Sequence, residues 1–194
     1  MPQGHYCSAF GVWYQGSRKQ HTNKMAGRAS KSGDAYRTEK KLEEKYDEQE
    51  ALGTPTCVID WINGVLAGDV ASALSLDDAK RGSSWEAIAA YLKDGVILCM
   101  LINKLRLAAG LSKQSFQKKA KTPFVAMQNV ENFNQAAKEY GVPETALFQT
   151  TDITDGRKAS MVNVLNCLSQ LGFVANTKGY EPKFTPPGAP KADF

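Results

Sequence analysis

The fold of this chain is decided by residues 94–105, which read DGVILCMLINKL, and by residues 123–133, which read PFVAMQNVENF. The first stretch is apolar at almost every position, a pattern typical of a helix that other helices surround. In the second stretch, Phe124, Met127 and Val130 recur every three residues, which indicates one apolar face of a helix. The two stretches therefore predict two helices of one buried core.

Further helical segments lie on both sides of these two stretches. A Thr-Pro pair at 54–55 is a helix start signal, and this first main helix is expected to end at Gly68. Residues 84–88 are expected to hold one or two helical turns before Tyr91-Leu92. A closing helix is expected to stop at Gly172, because glycine favours helix C-termini. No long alternation of apolar and polar residues is present, so the predicted class is all-α.

The positions expected to form the core are large apolar residues at helical spacing. They are Trp61, Trp85, Leu98, Leu101, Phe124, Phe133 and Leu165. The tryptophans could instead serve as stacking platforms for a ligand, but their aliphatic neighbours favour packing.

The chain has 194 residues, enough for one domain that folds without disulfides or metal ions. Residues 1–53 are interpreted as a leader followed by a charged helical arm that is exposed to solvent, with the disordered leader over residues 1–24. Residues 54–174 are the predicted domain. Residues 175–194 form a tail rich in Pro and Gly that cannot build a core of its own.

The chain lacks the motifs of catalysis. Its only histidines, His5 and His21, lie in the predicted leader, and no nucleophile elbow, phosphate loop or dinucleotide fingerprint is present. Residues 152–156 weakly match a calcium loop, but the closing Glu is missing, which favours an Asp-Gly turn. We therefore expect no enzyme activity, no metal site and no cofactor.

Cysteine usage and hydropathy indicate the cellular compartment in which the protein is expected. The four cysteines never form a C-x-x-C pair, and Cys99 and Cys167 lie in apolar helical patterns, where cysteine behaves as an inert hydrophobe. No apolar run is long enough for a membrane span, and no signal peptide begins the chain. A cytoplasmic protein without membrane insertion is predicted.

The positive charge of the chain is concentrated in one region. The net charge is +4, yet residues 104–121 contain six Lys and Arg residues and no Asp or Glu. A basic surface attracts anionic partners. Lys118, Lys119 and Lys121 are the candidate contacts, and a solvated loop without a partner is the other interpretation.

Taken in order, the motifs resemble the calponin homology domain of the calponin and transgelin family. The resemblance is carried by Trp61-Ile62, by residues 92–103, by Pro123-Phe124 with the following Met, Asn and Phe, and by residues 140–153. It spans about residues 56–173 and implies four main helices with short connecting helices. The last eight residues, 187–194, are similar to the tails of invertebrate muscle (myophilin-like) members.

The resemblance implies a cytoskeletal or muscle protein that binds filamentous actin in the cytoplasm. In relatives with paired domains, the first helix and the region before the last helix contact the filament, which by position points to Asp60, Asn63, Arg157 and Lys158. Because a filament with an acidic surface attracts cations, the residues chosen as candidate actin contacts are the positively charged ones: Lys118, Lys119, Lys121, Arg157 and Lys158.

One departure from the family keeps a second function open. The short Gly-rich repeats that contribute to actin binding in calponins do not follow Leu171. A signalling adaptor that docks a kinase or another regulatory protein, with little direct actin binding, is the alternative. Neither hypothesis involves nucleic acid.

Overall fold

The computed structural model of the chain describes residues 33–70, 73–76 and 83–188. These residues form seven α-helices and one 3₁₀ turn, without a strand, which confirms the all-α class. The helices are α1 Asp34–Leu52, α2 Thr54–Val65, α3 Ser84–Leu92, α4 Val96–Ala108, α5 Pro123–Tyr140, α6 Thr150–Thr154 and α7 Lys158–Thr177, and the 3₁₀ turn is Glu144–Ala146. The predicted leader, residues 1–24, lies outside the described residues.

Helix α4 is buried over most of its length, as its apolar sequence predicts. Its buried residues are Ile97, Leu98, Cys99, Leu101, Ile102, Asn103, Leu105 and Arg106. The helix begins after Gly95, whose φ is +70°, and a Cβ on this glycine would lie 2.7 Å from Asn129 Cβ on α5. Glycine is therefore required here both for the backbone conformation and for the close approach of α4 to α5.

Most of the residues expected in the core are buried or half-buried. They are Trp61, Trp85, Leu98, Leu101, Phe133 and Leu165. The expectation for Phe124 is wrong, because its side chain is 74% exposed. Phe124 lies in the first turn of α5, and the buried face of this helix begins only at Ala126. The apolar spacing of a helix does not show which of its turns are covered by other helices.

Helix α1 is present, but it is not solvated on every side. Tyr46 is fully buried, and its hydroxyl shares a hydrogen bond of 2.9 Å with Ser84 Oγ at the start of α3. Gln49 Nε2 donates to Asn166 Oδ1 on α7 at 3.0 Å. The expectation of an exposed arm is therefore wrong for this face, since it packs on α3 and α7. The boundary of the predicted domain at residue 54 stays a prediction.

Helix α7 continues past Gly172 to Thr177, so the predicted stop is wrong. The glycine is a packing residue instead of a helix cap. A Cβ at this position would lie 2.5 Å from Cγ of Phe184, a buried residue of the predicted tail. The predicted tail therefore packs back onto the helices through Phe184. Residues 189–194 lie outside the described part of the chain.

Candidate functional site

The connection between α4 and α5 carries the concentrated positive charge. We name residues 111–121 the basic loop; it has neither helix nor strand. Peptide groups outside regular structure need other hydrogen-bond partners. The side chains of α4 and α5 provide them, and this decides how the lysines of the loop are presented.

Asn129 is the principal support of the basic loop. This side chain is fully buried on α5. Its Oδ1 accepts from Gln117 N at 3.0 Å, and its Nδ2 donates to Gln117 O at 2.9 Å and to Asp94 O at 3.0 Å. A buried amide with these partners is well satisfied. It ties the loop and the entry of α4 to one point on α5.

Two further asparagines hold the middle of the basic loop. Asn103 Nδ2 on α4 donates to Gln114 O at 2.9 Å, and Asn103 Oδ1 accepts from Gln114 N at 2.6 Å. Asn132 Nδ2 on α5 donates to Ser115 O at 3.1 Å. These bonds fix the loop backbone at neighbouring positions, so the loop is ordered before any partner arrives.

Arg106 holds the beginning of the basic loop. Although it is nearly buried, its Nε donates to Ser112 O at 2.9 Å and its Nη1 contacts Glu139 Oε2 at 2.8 Å. Hydrogen bonds from Gln135 and from Arg106 lower the pKa of the Glu139 carboxyl. A buried cation needs such partners to offset its desolvation. Arg106 is therefore a structural cation, unavailable to a binding partner.

The remaining cations of the region face solvent. Lys104 forms an ion pair with Asp69 at 2.5 Å. In contrast, four exposed lysines form no ion pair with any residue in the described part of the chain: Lys113, Lys118, Lys119 and Lys121. The basic loop thus presents four uncompensated charges on a backbone that is held in place.

Apolar surface lies next to these lysines. Phe124 and Met127 on α5 are 74% and 40% exposed, and they lie three and six residues after Lys121 in the sequence. On the other side, a groove of about 860 Å³ runs between α4 and the basic loop. Its lining includes Met100 and Phe116. The surface therefore combines positive charge with apolar contact area, which is typical of a partner-binding site.

The structure places Arg157 and Lys158 in a different setting. Arg157 contacts Glu39 on α1 at 3.3 Å and Asp155 at 2.5 Å, and these hydrogen bonds raise the pKa of its guanidinium. Lys158 pairs with Asp47 on α1. These two cations fasten α1 to the start of α7, whereas the basic loop is tied to α4 and α5. Their positive charges are compensated by carboxylates.

The two expected positions on α2 also differ from each other. Asp60 is exposed, whereas Asn63 is half-buried and donates through Nδ2 to Leu74 O at 2.8 Å. Asn129 belongs to the motif that resembles the family, but the sequence alone did not predict a role for it. The available signal was a polar residue on the apolar face of a predicted helix, because such a residue needs a buried partner.

Residues 33–70, 73–76 and 83–188 contain no group of three His, Cys, Asp or Glu residues that could hold a metal ion. Asp152, from the weak calcium match, instead accepts from Gln149 N at 2.9 Å and caps α6. In the same part of the chain, no helix has the length and apolarity to cross a bilayer.

Comparison with known proteins gives the family. Residues 56–176 match the model for the calponin homology (CH) domain. The chain is 35% identical over 159 residues to Myophilin of Echinococcus granulosus, covering 80% of this chain and 70% of that protein. It is 35% identical over 113 residues to Muscle-specific protein 20 of Drosophila melanogaster, covering 58% of this chain and 52% of that protein. With the all-helical fold described above, these matches show that the chain belongs to the calponin homology domain family, in its calponin and transgelin group.

Proposed function

We propose that the chain is an actin-associated cytoskeletal protein of the cytoplasm, and that it binds filaments through its single CH domain with the basic loop as the contact. The observation that carries this proposal is the presentation of Lys118, Lys119 and Lys121, which are exposed, uncompensated and mounted on an ordered loop. Membership of the family and a relative named as a muscle protein support the cellular setting.

Charge and order both favour such a contact. A filament with an acidic surface attracts lysines at long range, and salt weakens this attraction. Binding also costs less when the contacting segment is already ordered, since little conformational entropy is lost. The hydrogen bonds from Asn103 and Asn129 supply this order.

Cosedimentation of the full chain with filamentous actin at low and physiological salt tests the proposal. We expect saturable binding that the triple variant Lys118→Ala, Lys119→Ala, Lys121→Ala weakens about tenfold, since three exposed charge contacts contribute about 0.5 kcal/mol each. The matched control removes three exposed lysines from α1, Lys40, Lys41 and Lys45. An equal loss of affinity in this control would show that net charge, and not the basic loop, governs binding.

A signalling adaptor is the second candidate function. The observation that favours it is the exposure of Phe124 and Met127 beside the lysines, because apolar anchors give contacts that survive physiological salt. If filaments bind only at low salt, while the immobilised chain retains a regulatory protein through Phe124, the adaptor role replaces filament binding. Direct actin retention that Phe124→Ala does not change would count against the adaptor role.

A further inference from the structure

The segment that follows α7 packs into a groove between α2 and α7. We name residues 180–184 the tail segment, and the surface beneath it the tail groove. Phe184 is only 2% exposed, and its ring meets Trp61 and Phe173 edge-on, with centroid distances of 5.6 and 5.3 Å. A residue of a Pro-rich tail is thus buried as fully as residues of the core.

The tail groove also binds the backbone of the tail segment. Asn176 Nδ2 donates to Phe184 O at 2.7 Å, and Asn176 Oδ1 accepts from Phe184 N at 2.8 Å. Trp61 Nε1 donates to Pro182 O at 3.0 Å. These side chains bond to peptide groups, as in other sites that recognise an extended peptide.

Two glycines within helices make room for the tail segment. A Cβ on Gly172 would lie 2.5 Å from Phe184 Cγ, and a Cβ on Gly64 would lie 3.1 Å from Pro182 Cγ. Both glycines lie inside helices, α7 and α2, where glycine is less favourable than alanine. Neither has a positive φ that would require glycine. Both glycines are explained by the space that Pro182 and Phe184 occupy, so the groove fits the segment that fills it.

The tail segment is joined to α7 by a short exposed link. Lys178 and Gly179 are exposed, and Gly179 has a φ of +74°. Withdrawal of the segment would break its bonds to Trp61 and Asn176 and the bond from Tyr180 N to Ala175 O at the end of α7, and would leave the other backbone bonds of α7 intact. Attachment in the same chain gives the segment an effective concentration in the millimolar range, which favours its own groove over another molecule's.

We propose that the tail groove is a peptide-binding site for a Pro-x-Phe segment, filled here by the chain's own Pro182 to Phe184 and open to the same segment of a second copy. The ligand class follows from the contacts: an aromatic ring over Gly172, a proline over Gly64, and backbone groups paired with Asn176 and Trp61. Exchange of tail segments would produce a dimer with two basic loops. That consequence for filament cross-linking rests on the proposed function, whereas the site itself does not.

Peptide rescue tests the site without actin. Phe184→Ala in the full chain should lower Tm by about 10 °C, since a buried ring is lost. A peptide with the sequence of residues 180–188, at millimolar concentration, should restore part of this loss, and the same peptide with Ala in place of Phe should not. If the two peptides act equally, or if neither raises Tm, the proposal is overturned. Phe184→Leu serves in the same comparison if the alanine variant does not fold.

A variant of the groove shows whether the peptide binds where the tail segment lies. Gly172→Ala places a methyl group where the ring sits, so the double variant with Phe184→Ala should show no rescue. Ser169→Ala, one turn earlier on α7, is the matched control in the same background and should keep the rescue. Rescue in the Gly172→Ala double variant would place peptide binding elsewhere and contradict the proposal.

Complementation between two variants tests exchange with a second copy. The Phe184→Ala chain has an open groove and a defective tail segment, whereas the Gly172→Ala chain has a blocked groove and a released tail segment. Sedimentation velocity at several hundred micromolar should show each alone as a monomer and their mixture as a one-to-one heterodimer. A mixture that sediments as two monomers would rule out exchange, and so would equal dimerisation of either variant alone.

Discussion

At the scale of single residues, the side chains that matter most for the basic loop are polar ones inside an apolar core. Asn129 is fully buried, yet its side-chain amide forms hydrogen bonds with the backbone N and O of Gln117 in the basic loop and with the backbone O of Asp94 just before α4. A buried amide is costly unless it is satisfied, and removing it leaves its partners unsatisfied as well. Asn129 therefore contributes to stability and to the position of the lysines through the same bonds.

We expect Asn129→Ala to lower the free energy of unfolding by about 2 to 4 kcal/mol, because the fully buried amide is lost and the backbone groups of Gln117 and Asp94 lose their partly buried hydrogen bonds. Urea denaturation of the full chain measures this loss. Asn132→Ala is the control, since it removes one bond at 3.1 Å from a less buried position and should cost about 1 kcal/mol or less. Equal costs for the two variants would show that Asn129 has no special role.

At the scale of elements, α1 is held by contacts that its charged sequence conceals. Tyr46 is buried beside Ser84, and Glu50 accepts hydrogen bonds from both the backbone N and the hydroxyl of Ser84. A carboxylate at the first turn of α3 also interacts favourably with the helix dipole. The ion pair of Lys158 with Asp47 adds a second connection, to α7. The helix thus docks through one aromatic residue and several polar ones.

Tyr46→Ala should destabilise the chain by about 3 to 5 kcal/mol, the range for loss of a buried aromatic side chain. Lys158→Ala should cost about 1 kcal/mol or less, because a partly exposed ion pair contributes little. Hydrogen exchange measures where the effect lies: amides of α1 should exchange faster in Tyr46→Ala, with a smaller change in α4. Uniform acceleration of both helices would contradict separate docking of α1.

At the scale of the whole molecule, the described helices enclose several ionisable groups in neutral form, and the largest pKa shifts fall on three of them. Burial raises the pKa of Tyr46, Cys99 and Cys167 to about 12 each. Their ordinary values are 10.0 for the tyrosine and 9.0 for the cysteines. Because the folded chain retains these protons more strongly than the unfolded chain, the contribution of the three groups is complete below pH 9. It is lost as the pH rises toward 12.

The free energy of unfolding should therefore be nearly constant from about pH 7 to 8.5 and should fall steadily above about pH 9. Urea denaturation at a series of pH values measures this profile. A double variant with Cys99→Val and Cys167→Val is the comparison, and its decline between pH 9 and 10 should be shallower, because its largest remaining pKa shift is that of Tyr46, whose ordinary value is 10.0. A decline that starts below pH 8 would identify a group other than these three.

The sequence by itself determined the helical class, the burial of α4 and the family. These features follow from local signals: apolar spacing at the helical period, start signals such as Thr54-Pro55, and an ordered set of motifs. Each signal depends on neighbouring residues only, so no knowledge of the packing was needed to interpret it. The concentration of lysines in the basic loop was visible in the same way.

Tertiary structure alone decided which surfaces are covered and which charges are free. Phe124 is exposed because no helix in the described part of the chain covers the first turn of α5, and Gly172 lies inside α7 because Phe184 packs over it. Arg157 and Lys158 have compensated charges because α1 brings carboxylates to them. Each outcome depends on a partner many residues away in sequence, and the local pattern of a helix carries no information about that partner.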